Sequence, residues 1–231
     1  LRNSGIAGFA VPGLADRLVA SLFADDTTVF LSESDSYVEL TRILQRWCTA
    51  SRARFNSDKT AVIPVGTKQY REHVLASRYL STHGVGDKLP DGVSLVPDGQ
   101  ATRVLGAWVG NEVDDTAAWA EVVDTIRRHL DRWRARRPTL NARRLIVNLE
   151  VGARTQFLAR AQSMPPSVEK TLQKMVLDFV WDHDPHHRVS ADTLHKPITE
   201  GGLALLNVGV RNEALDLLWM KEYLDLSETR P

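Results

Sequence analysis

The chain has 231 residues, with 29 Lys+Arg against 29 Asp+Glu, 43% hydrophobic and 25% charged. This balance argues against intrinsic disorder and against a chain that is basic throughout, and no apolar run approaches the roughly 20 residues that span a bilayer. One cysteine, Cys48, rules out an intrachain disulfide framework and fits a reducing compartment. The length allows one large domain or two small ones, each with enough core to fold. Leu1 is not an initiator methionine and no signal-peptide pattern follows it, so the sequence reads as a fragment or a processed chain.

The first half alternates strand and helix signals. Residues 6–11 lean to a strand, and Pro12-Gly13 ends it as a turn. The apolar run 18–23 and the β-branched and aromatic run 27–31 enclose Ala24-Asp25-Asp26, which predicts a hairpin. After Ser34 the spacing of Leu40, Ile43, Leu44 and Trp47 predicts a helix, with Cys48 as a small packed residue beside Trp47. Residues 61–65 read as an edge strand because Pro64 lies in it, 83–99 as an irregular connection, and 103–109 as one further strand.

From a boundary near residues 111–115 the pattern turns helical. Trp119, Val122, Val123, Ile126, Leu130 and Trp133 form one apolar stripe, and Pro138 ends that helix. A second helix is expected over 142–163 with an interruption near Gly152. Pro165-Pro166 opens a third, whose buried face is Val168, Leu172, Met175, Val176 and Phe179. Loops at 183–187 and Gly201-Gly202 precede a last helix over 211–224.

Two features carry chemistry. Asp25 and Asp26 are adjacent carboxylates at a tight turn, where they repel each other unless water or a divalent cation screens them. Such pairs hold hard cations in phosphoryl-transfer sites, although Asp is also an ordinary turn residue. The second feature is the window 126–160, which holds ten arginines and two acids for a net charge of +8, leaving −8 on the rest. Arg128, Arg132 and Arg136 repeat every four residues, so a helix would place them on one face, where guanidinium forks suit phosphate oxygens. The competing reading is a solvated face that pairs with acids elsewhere in the fold. His183, Asp184, His186, His187 and His195 read as a surface loop rather than a zinc site, since Pro185 splits them and the lone cysteine is remote in sequence.

The segment from Leu18 to Leu31, with Phe23-Ala24-Asp25-Asp26 between two strands, resembles the catalytic hairpin of reverse transcriptases, most closely those of non-LTR (LINE-type) retrotransposons. Three further stretches resemble later motifs of that family in its order. Ala53-Arg54-Phe55-Asn56-Ser57-Asp58-Lys59-Thr60 looks like a helix leading to a lysine before a strand. Arg103-Val104-Leu105-Gly106-Ala107-Trp108-Val109-Gly110 is similar to the primer-grip strand, and Lys196-Pro197-Ile198-Thr199-Glu200-Gly201-Gly202-Leu203 to the stretch after the thumb.

The resemblance implies an α+β fold: a partial polymerase palm (an antiparallel sheet with helices) over 1–112, an α-helical thumb over 113–182 and a post-thumb helical segment over 183–231. It implies metal-dependent nucleotidyl transfer, an RNA-directed DNA polymerase activity using Mg²⁺ or Mn²⁺, an RNA template, a DNA primer and deoxynucleotide triphosphates. Asp25 and Asp26 would be catalytic metal ligands, and Lys59 would act near the leaving pyrophosphate, although it also suits an exposed helix end. Leu105 and Gly106 would face the primer end, and Arg128, Arg132 and Arg136 would bind nucleic acid as part of the thumb. Nuclear action follows by family analogy alone. Family members complete the metal site with an aspartate on an earlier strand. Here only 24 residues precede Asp25, and their one acid, Asp16, lies in the connection before the same hairpin. The expectation is therefore a chain that is inactive alone. The alternative is a non-catalytic nucleic-acid-binding remnant of the same descent.

Overall fold

Short β-rich segments separated by Gly and Pro make small sheets, and in the first half of the chain each described strand pairs with a neighbour in strand order. A computed structural model describes residues 1, 3–10, 17–56, 59–83 and 86–225. The Pro12-Gly13 turn, Asp16, Ser57 and Asp58 lie outside these. β1 (Phe9–Ala10) pairs antiparallel with β2 (Arg17–Leu18), and β3 (Ala20–Phe23) with β4 (Asp26–Val29) in the register Ala20↔Val29 to Phe23↔Asp26. β5 (Ala61–Val62) pairs parallel with β6 (Ser94–Leu95), while β7 (Thr102–Val104) and β8 (Ala107–Val109) form a separate two-stranded sheet.

The chain is thus a mixed helix-and-sheet protein, but its described strands form four two-stranded sheets rather than one antiparallel sheet. Strands of two to four residues present too few ladder groups to recruit a third neighbour. Two expectations change. Residues 83–99 are not wholly irregular, since β6 lies within them. The single strand expected over 103–109 is a hairpin that turns at Leu105 and Gly106, with φ of 49° and 89°. Positive φ at both central residues is what a tight two-residue hairpin turn requires, and Gly106 adopts it without the steric cost of a Cβ.

Two helices complete the first unit. α1 (Tyr37–Ser51) is capped by the Ser36 hydroxyl, which accepts from the Glu39 N–H, and it buries Leu40 against Ile6 and Val19. α2 (Lys68–Ser77), which the apolar periodicity does not reveal, is capped by Thr67 and buries Val74. Compactness divides the chain into two units, one comprising residues 1–105 and 109–113, the other 106–108 and the described residues from Asp114 onward.

The second unit is helical. α3 (Asp115–Arg134) begins at an Asp114 cap and buries Trp119, Val123, Ile126 and Leu130, with Val122 half-buried beside them. It ends four residues before Pro138, so Arg136 lies in the following turn and not on the helix. This corrects the expected shared face: only Arg128 and Arg132 are helical neighbours. α4 (Leu140–Val147) runs through a π-helix (Asn148–Ala153) into α5 (Arg154–Gln162), so the interruption expected near Gly152 is a widened turn and not a break.

Widening leaves carbonyls without their ordinary partners, and side chains supply them. The Thr155 hydroxyl donates to the Val151 carbonyl at 2.7 Å, and Arg211 Nη1 donates to the Gly152 carbonyl at 3.2 Å and to Thr155 Oγ1 at 2.6 Å. α6 (Pro166–Trp181) buries Val168, Leu172, Val176 and Phe179, and Met175 packs at the margin. Arg143 closes its C-terminus by donating to the Phe179 and Val180 carbonyls at 3.2 and 2.7 Å.

Residues from 183–225 contribute to the same core as the helices before them. Leu194 of α7 (Ala191–His195), Leu205, and Val208 and Leu215 of α8 (Val208–Leu224) belong to the same core. α8 starts three residues earlier than expected, at an Asn207 cap. No helix among the described residues is long and apolar enough to cross a membrane.

Candidate functional site

The β3–β4 hairpin exists because alternating β-branched and apolar residues flank a two-residue turn, Ala24-Asp25. Ala24 has a φ of 51°, a left-handed conformation that is uncommon for a residue with a Cβ. Asp25 occupies the turn and Asp26 opens the return strand opposite Phe23. Both carboxylates are exposed, and so are Leu22 and Phe23 beside them. Exposure answers the electrostatic objection to adjacent carboxylates, because water screens their repulsion.

Two aspartates are hard oxygen donors, the chemistry that Mg²⁺ or Mn²⁺ requires. Among the described residues, however, no group of three or more His, Cys, Asp or Glu side chains is placed to hold a metal ion. The hairpin by itself presents two exposed carboxylates. Asp16, the one acid upstream, lies outside the described residues.

The other sequence-derived candidates are dispersed. Lys59 is exposed, its backbone N–H bonds the Asn56 carbonyl at 3.2 Å, and its side chain has no bond to Asp25 or Asp26 among the described residues. Leu105 is half-exposed at the β7–β8 turn. A Cβ on Gly106 would come within 3.0 Å of the Phe157 ring, and the Trp108 N–H donates to Gln162 Oε1 at 2.9 Å, so within the second unit Gly106 permits a close approach to α5. The histidines serve separate structural contacts. His187 stacks on Trp181 with ring centres 5.7 Å apart, and His195 Nδ1 lies 3.0 Å from the Leu205 carbonyl. Cys48 is half-buried and free.

The arginine window splits in two. Arg127 pairs with Asp124 at 2.6 Å, Arg134 with Asp131 at 2.8 Å, Arg154 with Glu150 at 2.7 Å and Arg160 with Glu222 at 3.2 Å, while Arg143 reaches Asp182 at 3.7 Å. Among the described residues, Arg128, Arg132, Arg136, Arg137 and Arg144 have no carboxylate partner. Arg128 and Arg132, both exposed, stand one turn apart on α3. Part of the basic stretch is thus internal pairing, while Arg128 and Arg132 on α3 have no carboxylate partner among the described residues.

The spacing of the sequence misses one cluster. Glu150, in the π-helix, is buried, with only 6% of its side chain exposed. It accepts from Arg154 Nε at 2.7 Å and from Trp133 Nε1 at 3.0 Å, and its Oε2 lies 3.0 Å from His129 Nδ1. Burial pushes the Glu150 carboxyl up, but the hydrogen bonds from Arg154, Trp133 and His129 outweigh it and hold the group below the usual carboxylate range. Its partners are 21, 17 and 4 positions away, and only Glu150–Arg154 and His129–Trp133 have helical spacing that a sequence could reveal.

No protein-family model matches the chain, and no curated protein matches it.

Proposed function

We propose that the chain is part of a reverse transcriptase of the non-LTR retrotransposon type. In this reading the first unit carries the carboxylate pair of a Mg²⁺- or Mn²⁺-dependent nucleotidyl-transfer site, and the second binds the RNA–DNA duplex of template and primer. The observation that carries the reading is the exposed Asp25-Asp26 pair at the tip of a two-residue β-hairpin. The order of the Lys59, Leu105-Gly106 and Gly201-Gly202 stretches along the chain supports it. The uncompensated Arg128 and Arg132 on α3 suit phosphate oxygens of a duplex, with binding that falls as salt rises.

A second reading, a nucleic-acid-binding remnant without catalysis, is favoured by the two-carboxylate donor set and by the turn at Leu105 and Gly106 where the family pattern expects a strand. Both readings predict salt-dependent binding of an RNA–DNA duplex that weakens in Arg128→Glu plus Arg132→Glu. Unchanged binding at low salt in that double variant overturns a duplex-holding role. Primer extension on an RNA template with Mg²⁺ or Mn²⁺ separates the two. We expect none from this chain alone, and extension that disappears in Asp25→Ala plus Asp26→Ala would establish a complete enzyme.

A further inference from the structure

The Glu150 cluster has an unusual division of burial. The acceptor at its centre is buried, while its three partners keep solvent-facing surface: Trp133 is 40% exposed, the Arg154 side chain 41% and the His129 side chain 27%. A network that served packing alone would have no need to expose its aromatic members. The geometry instead fixes their orientation. The indole N–H of Trp133 is held by Glu150 Oε1, and the Arg154 Nε by Oε2. His129 Nδ1 lies between Glu150 Oε2 at 3.0 Å and Arg154 Nη2 at 3.1 Å, which leaves Nε2 without a partner among the described residues.

The helical wheel of α3 adds the second part. The buried stripe is Trp119, Val123, Ile126 and Leu130. At about 100° per residue, His129 and Trp133 fall on one flank of that stripe, and Arg132 and Arg128 follow on the adjacent crest. A surface therefore runs from an aromatic and guanidinium platform to two arginines without carboxylate partners. The one negative charge at its centre is buried and compensated, so it does not repel an anionic ligand.

We propose that Trp133, His129 and Arg154, oriented by Glu150, form a stacking site for unpaired nucleobases of a single-stranded nucleic acid whose phosphates contact Arg128 and Arg132. Indole, imidazole and guanidinium planes stack on bases irrespective of sequence, and stacking requires a base that is not already paired. Glu150 is a positioning residue that does not touch the ligand. The proposal deepens the nucleic-acid-binding reading of the second unit, and it differs from duplex binding in needing an aromatic ring.

The test is fluorescence anisotropy of the full chain with labelled oligo(U), labelled oligo(dT) and a labelled RNA–DNA duplex at low salt. We expect Trp133→Leu to weaken both single strands by about tenfold and the duplex by less than about twofold. Trp133→Phe, which keeps a ring but loses the bond to Glu150, retains most of the single-strand binding. A preference between oligo(U) and oligo(dT) identifies RNA or DNA as the source of the strand. Because Trp133→Leu could unfold the helix, the wild-type emission change on adding oligo(U) is compared with that of Trp133→Phe. The difference, assigned to Trp133, is quenched on binding. Equal single-strand affinity in wild type and folded Trp133→Leu, or no quenching assigned to Trp133, overturns the stacking site. Loss of duplex binding only in Arg128→Glu plus Arg132→Glu leaves the duplex reading standing without it. Unchanged duplex binding in that pair with single-strand loss in Trp133→Leu has the opposite meaning.

Discussion

Each of the two units is stabilised internally by different means. In the second, one continuous apolar core runs from Trp119 on α3 to Leu215 on α8, and polar groups serve its edges. In the first, the cluster around Ile6, Val19 and Leu40 is small, and polar clasps bind segments distant in sequence. Asp35 accepts the Ala7, Gly8 and Ser32 N–H groups at 2.6, 2.9 and 2.7 Å, joining the segment just before β1 to the loop before α1. Arg71 grips Asp98 through two bonds of 2.8 and 2.7 Å and reaches Glu112 at 2.7 Å. Arg78 bonds the carbonyls of Leu89, Pro90 and Val93. The lesson is that the most distinctive sequence motif, the Asp25-Asp26 hairpin, sits in the unit with little core of its own. That unit depends on specific hydrogen bonds, while the other depends on burial.

The sharpest way to break this contrast is to empty each core. Phe179→Ala should cost the second unit about 3–5 kcal/mol, and Leu40→Ala should cost the first about 2 kcal/mol, because its neighbourhood is shallower and collapses more readily. Urea denaturation followed by probes in each unit measures both, and a larger loss from Leu40→Ala would reverse the comparison. Next in size is the clasp itself. Asp35→Ala leaves three backbone N–H groups without their acceptor and should destabilise the first unit by about 1–2 kcal/mol, the lower part of the usual range because water reaches the site. A loss confined to the second unit would refute that role.

Acid sharpens the contrast further. The carboxyls of Asp35 and Glu150 both lie below their ordinary values, 3.8 and 4.5. For Asp35, burial pushes up and the backbone N–H bonds from Ser32, Ala7 and Gly8 push down harder. A depressed group contributes its stabilisation in full above its unfolded value and loses it as pH falls through the folded one. The contribution of Glu150 should therefore begin to fade below about pH 4.5 and that of Asp35 below about 3.8, values set by the unfolded groups. Thermal melts across pH 2–6 report this. The second-unit dependence should flatten in Glu150→Gln, and an unaltered profile would exclude Glu150 as its source. The smallest effect expected is a gain. The left-handed Ala24 carries a penalty of about 1–2 kcal/mol that glycine relieves at an entropic cost of about 0.5–1, so Ala24→Gly should stabilise the first unit by about 0.5 kcal/mol. A measured loss would mean that the turn is held by something other than its φ.

Legibility followed the strength of the local signal. The β3–β4 hairpin and the stripes of α3 and α6 were readable because side-chain alternation and three-four spacing are written in consecutive residues. α2 was not, because it buries only Val74 and its apolar residues, Val74, Leu75 and Ala76, run consecutively instead of at three-four spacing. The β7–β8 turn looked like a strand because Leu105 is a poor turn residue, and Gly106 was the one sign against it. At the candidate sites, Asp25-Asp26 and the arginines stood out as runs, whereas Glu150 joined its partners only through the packing of α3 against the π-helix. Arg136 was misplaced because a period of four was extended past the end of α3.

The π-helix also sets a rotational phase. One extra residue in a turn rotates everything after it by about 100° relative to an uninterrupted α-helix. α5 is thereby indexed so that Thr155, Leu158 and Ala159 meet the core, while Phe157 stays outside near Gly106. Deleting a single residue within 148–153 would shorten the chain trivially, yet it would turn Phe157 and its neighbours through more than a quarter circle. The segment should accordingly tolerate substitution far better than any change in length.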